Sequence, residues 1–210
     1  MPAASRLNKH QQKTEVTKKK LLRAGERVFI RRGFEAARIE EIAADAGYTR
    51  GAFYAHFETK EDLFFAMFEE RASILFEELR AILDEHSGDS DQVRLFRDFY
   101  TSRIADRGWS ILMLEFKLYA VRHGKRNLAE RLRKLKDKLR QSFSPALPCE
   151  LQLGEERTAV CRIALEALLD GLALQRAYDP GQVSEEQGSL ILGLFFDTMV
   201  SAHSPFNPKA

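Results

Sequence analysis

Residues Ile39–Lys60 read IEEIAADAGYTRGAFYAHFETK, two short apolar-periodic segments separated by a single glycine, the second of them basic and aromatic. Counting from Ile39, alanine falls at the fifth position (Ala43), glycine at the ninth (Gly47) and phenylalanine at the fifteenth (Phe53). A small residue lets two helices approach, and glycine accepts the positive φ of a sharp turn, so the spacing predicts a helix-turn-helix. Ile42, Ala46, Tyr48, Phe53 and Phe57 supply its buried side. Thr49, Arg50, Gly51, Ala52, Tyr54 and His56 are left around the exposed parts of the second helix, where a groove of double-stranded DNA would be met.

The charge distribution points the same way. The chain of 210 residues has a formal net charge of only +2, but residues 1–60 hold 13 Lys/Arg against 7 Asp/Glu, leaving 20 against 24 for the other 150. A positive N-terminal part suits a polyanion, because neutralising phosphates releases condensed counterions. With 44% hydrophobic residues the chain can bury a sizeable core in one large domain or two modest ones.

Other chemistries find little support. Cys149 and Cys161 are too few and too far apart for a ligand cluster, and the five histidines show no metal spacing, so no metal site and no cofactor are expected. There is no carboxylate-histidine pattern, nucleophile elbow or glycine-rich phosphate loop, which weighs against an enzyme in a helical bundle. Apolar runs such as Leu190–Phe196 fall far short of the ~20 residues that span a bilayer. With no secretory h-region, the expectation is a soluble, reduced, cytoplasmic protein.

Outward from the helix-turn-helix the periodicity is helical throughout. A polar arm is expected over residues 1–13, then a DNA-binding domain over 14–62 and a larger helical domain over 63–210. The first helix runs from Thr17 with Leu21, Ala24, Val28 and Phe29 on one stripe and stops at Gly33. Gly25 inside it implies close packing, with the helix-turn-helix as the expected neighbour. Thr59 and Asp62 fit a capping box opening a long helix over Lys60–Glu85, and Ser184 with Gln187 fits a second one. Between them, helices are expected over Gln92–Arg107, Trp109–His123 (bracketed by Gly108 and Gly124), Lys125–Phe143 and Glu155–Tyr178, with a proline-bearing loop at Ser144–Gly154 and a last helix at Ser184–His203. The fold class is all-α, with about nine helices. The last two, 155–178 and 184–203, are apolar on more than one face, which suits pairing between subunits as well as packing within one. A two-fold dimer would read half-sites ~34–36 Å or a multiple apart.

On these residues the chain resembles the TetR/AcrR family of bacterial transcriptional repressors. The matching string runs from Thr17 to about Leu63: Leu22 and Ala24, Val28-Phe29, Gly33-Phe34, Ile42-Ala43, Ala46-Gly47, Thr49, Gly51, Phe53-Tyr54, His56-Phe57, Lys60-Glu61 and Leu63. The resemblance implies a three-helix DNA-binding domain and a larger helical domain that binds a small effector and dimerises through its last two helices. It also implies that Thr49, Arg50, Gly51, Ala52, Tyr54 and His56 face DNA and that Lys60 meets phosphate. Arg38 departs from the family pattern, which has threonine there; an arginine reaches phosphate without the usual hydroxyl contact.

In proteins similar to this one the effector lies among the helices after the fourth. Trp109, Met113, Phe116 and Tyr119, with Phe96, Phe99, Tyr100 and Leu172, could line an apolar cavity there, and His123, Gln175 and Arg176 could orient a hydrophobic or amphipathic ligand. The expectation is a homodimeric repressor released from its operator by such a small molecule. The alternative is a DNA-binding regulator with no small-molecule effector, controlled by a protein partner or acting as an activator.

Overall fold

The computed structural model describes residues 9–86, 94, 95, 98, 99, 106–143 and 155–201. Eight helices have both ends among them: α1 (Lys9–Arg32), α2 (Ile39–Asp45), α3 (Arg50–Tyr54), α4 (Lys60–Glu85), α5 (Arg107–Arg122), α6 (Arg126–Phe143), α7 (Glu155–Tyr178) and α8 (Glu185–Ser201). Among the described residues there is no strand. The expected helix at Gln92–Arg107 and the expected loop at Ser144–Gly154 lie almost wholly outside the described residues, although Arg94, Leu95, Asp98 and Phe99 are helical. Two boundaries move. The first helix begins at Lys9, so the last five residues of the expected arm are helical. The fifth begins at Arg107, because the Asp106 carboxylate caps it by accepting from the Trp109 N–H at 3.1 Å, and Gly108 falls inside the helix instead of before it.

The helix-turn-helix forms as its spacing requires. Gly47 takes φ +76°, and behind it the Tyr48 N–H donates to the Ala43 carbonyl (2.8 Å) and the Gly47 N–H to that of Ala44 (3.0 Å). This pair of bonds satisfies carbonyls that the end of α2 would leave open and turns the chain into α3. Ile42, Ala43 and Phe53 are fully buried beneath the turn.

A single core then joins this unit to the rest of the molecule. Phe34, in the turn between α1 and α2, is fully buried, with ring centroids 5.0–5.4 Å from those of Phe29, Phe64, Phe116 and Tyr119. These rings come from α1, α4 and α5, so the helix-turn-helix side and the C-terminal side share one apolar cluster that continues to Leu128 and Leu132 of α6. Truncating such a side chain typically costs about 3–5 kcal/mol, and Phe34→Ala would loosen three helices together. Gly25 packs against α4 and not, as expected, against the helix-turn-helix: a Cβ there would sit 2.5 Å from Leu63 Cδ2. Two smaller clusters lie further out, one around Leu79, Leu83, Phe99 and Phe196, the other around Leu172 and Leu192.

Candidate nucleic-acid interface

The short helix α3 presents its residues outward because only Phe53 is needed inside. Thr49 caps it, its hydroxyl accepting from the Ala52 N–H at 3.3 Å. Arg50, Gly51 and Tyr54 are exposed, and Ala52 is half-buried. The Arg50 guanidinium donates to the Tyr54 hydroxyl at 3.1 Å, lies 5.3 Å from that ring, and is ion-paired with Glu40 of α2 at 2.8 Å. At Gly51 an added Cβ would meet only Thr49 Oγ1, at an ordinary 3.7 Å. The protein's own packing therefore does not require glycine at that position. Arg38, exposed at the start of α2, makes no side-chain cap, which agrees with its departure from the threonine pattern. His56 lies past the end of α3, half-buried with its ring tilted on Phe57.

Lys60 is placed differently from expectation. Its ammonium turns inward and donates to the carbonyls of Phe34 (2.9 Å), Glu35 (2.6 Å) and Ala37 (3.3 Å), with its charge above the Phe34 ring. Burial holds its pKa below the ordinary lysine value despite the nearby Glu61 and Glu35. Those three carbonyls belong to the turn between α1 and α2, and an ammonium has three protons to give. Lys60 thus fastens the α1–α2 turn to the start of α4, where the capping box of Thr59 and Asp62 is complete.

The aromatic stripe of α5 is placed in the core. Trp109, Met113, Phe116, Tyr119 and His123 share a face, and among the described residues that face packs as a seam against α1 and α4. Phe116 stacks on Phe64 at 3.9 Å and is 1% exposed; Trp109 stacks on Phe64 and Phe68 under the Arg71 guanidinium; Met113 packs on the same cluster. Tyr119 donates to Glu61 at 2.7 Å, and Lys125 ion-pairs with the same carboxylate at 2.6 Å. Burial pushes Glu61 up, but the hydrogen bonds from Lys125 and Tyr119 outweigh it and leave the carboxyl below its ordinary value. His123 donates from Nε2 to Glu35 at 2.8 Å, which holds Glu35 low, and Glu115 accepts from the Phe34 N–H at 3.0 Å. The C-terminal half of α5 thus grips the α1–α2 turn and the start of α4.

The remaining pocket candidates are dispersed. Phe99 packs with Leu79 and Phe196, Leu172 with Leu192, while Gln175 is exposed and Arg176 half-buried near Gly188. Phe96 and Tyr100 lie outside the described residues. Large residues at helical spacing signal a buried face without saying what covers it. Among the described residues, no group of three His, Cys, Asp or Glu could hold a metal, and no helix is long and apolar enough to cross a membrane.

The fold and its exposed, capped short helix define a helix-turn-helix protein with an all-helical C-terminal domain. Residues 21–67 match the model of bacterial regulatory proteins of the tetR family, and residues 90–201, more than half of the chain, match that of the BetI-type transcriptional repressor C-terminal domain. The chain belongs to the TetR family of transcriptional regulators, which are DNA-binding proteins and not enzymes. It is 50% identical over 48 residues to the transcriptional repressor BepR of Brucella suis, 23% of each chain. The chain spans only 23–29% of the length of the curated relatives it matches first. Similarity over whole chains comes from solved structures. A transcriptional regulator from Rhodococcus sp. Rha1 is 25% identical with a TM-score of 0.64, covering 88% of this chain and 96% of its own. FadR of Bacillus subtilis, solved with stearoyl-CoA, is 16% identical with a TM-score of 0.58, covering 89% and 99%. The second likeness is one of fold.

Proposed function

We propose that this protein is a homodimeric transcriptional repressor that holds its operator through α3 and releases it when a hydrophobic or amphipathic small molecule binds the C-terminal domain. The observation that carries the DNA half is the exposed row Arg50, Gly51 and Tyr54 on a capped helix anchored in the core by Phe53. Thr49, Ala52, His56 and Arg38 flank that row. Arg50 has the reach and fork geometry for guanine O6 and N7, and Tyr54 and Arg38 reach phosphate.

Dimerisation through α7 and α8 is supported by the apolar side chains those helices leave outside. Val160, Ile163, Leu174, Leu190 and Leu194 are all more than half exposed. Burying them against a second copy removes that surface from water and gives the two-fold symmetry that a two-half-site operator requires. Repression is supported by the named activity of BepR over the matching helix-turn-helix segment.

Release is reasoned from the seam. Because α5 holds Glu35, Phe34 and Glu61 through His123, Glu115 and Tyr119, a ligand that shifts α5 drags the α1–α2 turn and the head of α4 with it. The effector then lies beyond the seam, among α4, α5, α7 and α8, where Phe99 and Leu172 line the outer clusters. A coupling of about 1–3 kcal/mol suffices for a 5- to 150-fold loss of operator affinity. The test is selection from a random duplex pool, followed by anisotropy on the enriched duplex with and without a panel of acyl and aromatic amphiphiles. Enrichment of a two-half-site sequence whose affinity falls with a panel member supports the reading. An affinity that no member alters rejects the effector half.

A further inference from the structure

Glu40 is an acidic residue on the face that meets DNA. It sits in the first turn of α2 beside Glu41, but the two carboxylates do different things: Glu41 pairs back to Arg32 of α1 at 3.1 Å, whereas Glu40 reaches across to Arg50 of α3 at 2.8 Å. Both members of the second pair are more than half exposed. Exposed pairs contribute little to folding, and a carboxylate near phosphates opposes DNA binding, so stability alone is a poor reason for it. Its geometric consequence is larger. Arg50 is held on one side by Glu40 and on the other by the Tyr54 hydroxyl at 3.1 Å, with its guanidinium above the Tyr54 ring, so a long flexible side chain is tethered from two helices. Tyr54 engages Nη2 and Glu40 faces Nη1, so two of the five N–H donors are taken up and three remain for a base edge.

We infer that Glu40 is a positioning residue that aims Arg50 at a base edge and withholds it from the phosphates, so that it sets sequence discrimination at a cost in overall affinity. This rests on α3 being the DNA-reading helix. An untethered arginine neutralises whichever phosphate is nearest, which adds affinity for every sequence; a tethered one rewards a guanine in register.

The test uses the full-length protein, the duplex enriched from a random pool by the wild-type chain, and a scrambled duplex of equal length. Glu40→Gln should bind scrambled DNA more tightly, about 3-fold, and lose about 10-fold in the ratio of specific to scrambled affinity. Its slope of log affinity against log salt should steepen by about 0.9 per protomer as Arg50 takes up a phosphate. In an Arg50→Ala background, Glu40→Gln should leave the ratio unchanged. A ratio held within about 2-fold of wild type overturns the inference, as does an effect that persists without Arg50, which would mean that Glu40 reads DNA itself. If the wild-type chain enriches no sequence, the reading of α3 falls and takes this inference with it; enrichment with an equally specific Glu40→Gln removes this inference alone.

Discussion

Lys60→Met separates two roles for one ammonium. The thioether retains the apolar stem and the length of the side chain but leaves the carbonyls of Phe34, Glu35 and Ala37 without the donors they have at 2.9, 2.6 and 3.3 Å. The Phe34 and Ala37 bonds are partly buried and the Glu35 bond is exposed. Counting about 1–1.5 kcal/mol for each partly buried bond and little for the exposed one, less the burial penalty that the charged ammonium no longer suffers, the loss is about 2 kcal/mol. For a chain of this size that lowers the melting temperature by about 4–8 °C, measured at fixed protomer concentration. Operator binding, measured well below the melt, should keep its salt slope. A phosphate-binding Lys60 predicts the reverse, a slope flattened by about 0.9 per protomer with the melt unmoved. An unmoved melt would mean that the three carbonyls do not depend on the Lys60 ammonium.

The other predictions concern the reading surface, the seam and the dimer. Gly51→Ala meets nothing closer than 3.7 Å in the free protein and replaces glycine with a better helix former, so stability should hold or rise by up to about 1 kcal/mol while operator affinity falls; unchanged affinity by anisotropy would show that the DNA backbone does not approach there. Glu61 titrates below its ordinary value in the folded protein, so its stabilisation is present above about pH 4.5 and is lost as pH falls through the lowered folded value; urea midpoints from pH 6 to 3 should fall less steeply in Glu61→Gln than in wild type, and parallel curves would contradict the seam network. Ile163→Glu with Leu194→Glu places charge on the two exposed apolar faces of α7 and α8 and should halve the sedimenting mass without loss of helicity; an unchanged mass would move the interface elsewhere.

What could be read from the sequence is what short-range chemistry decides. The Gly47 turn, the Thr59–Asp62 capping box and the Ser184–Gln187 capping box each form within a few residues, and each is where the sequence places it. Apolar periodicity likewise locates α4, α6, α7 and α8 closely. Long-range direction is not carried by such patterns. The α5 stripe announces a buried face, but only the packing of α1 and α4 across it makes that face a seam. Gly25 announces a close neighbour without naming Leu63. Lys60 starts a helix beside a DNA-reading unit and so reads as a phosphate contact, yet its partners lie 23 to 26 residues earlier in the chain. Glu40 carries no signal by itself, since acids are common in the first turn of a helix; the closeness of its carboxylate to Arg50 is what marks it.

Whether α3 reads DNA in sequence is decided by selection from a random duplex pool with wild-type and Arg50→Ala proteins side by side. The wild type should enrich a pseudo-palindrome with half-sites one or more helical turns apart, and Arg50→Ala, equally folded and dimeric, should bind that sequence about 10- to 100-fold more weakly. A wild-type protein that enriches no sequence, or an Arg50→Ala protein that enriches the same sequence equally well, would contradict sequence reading by α3.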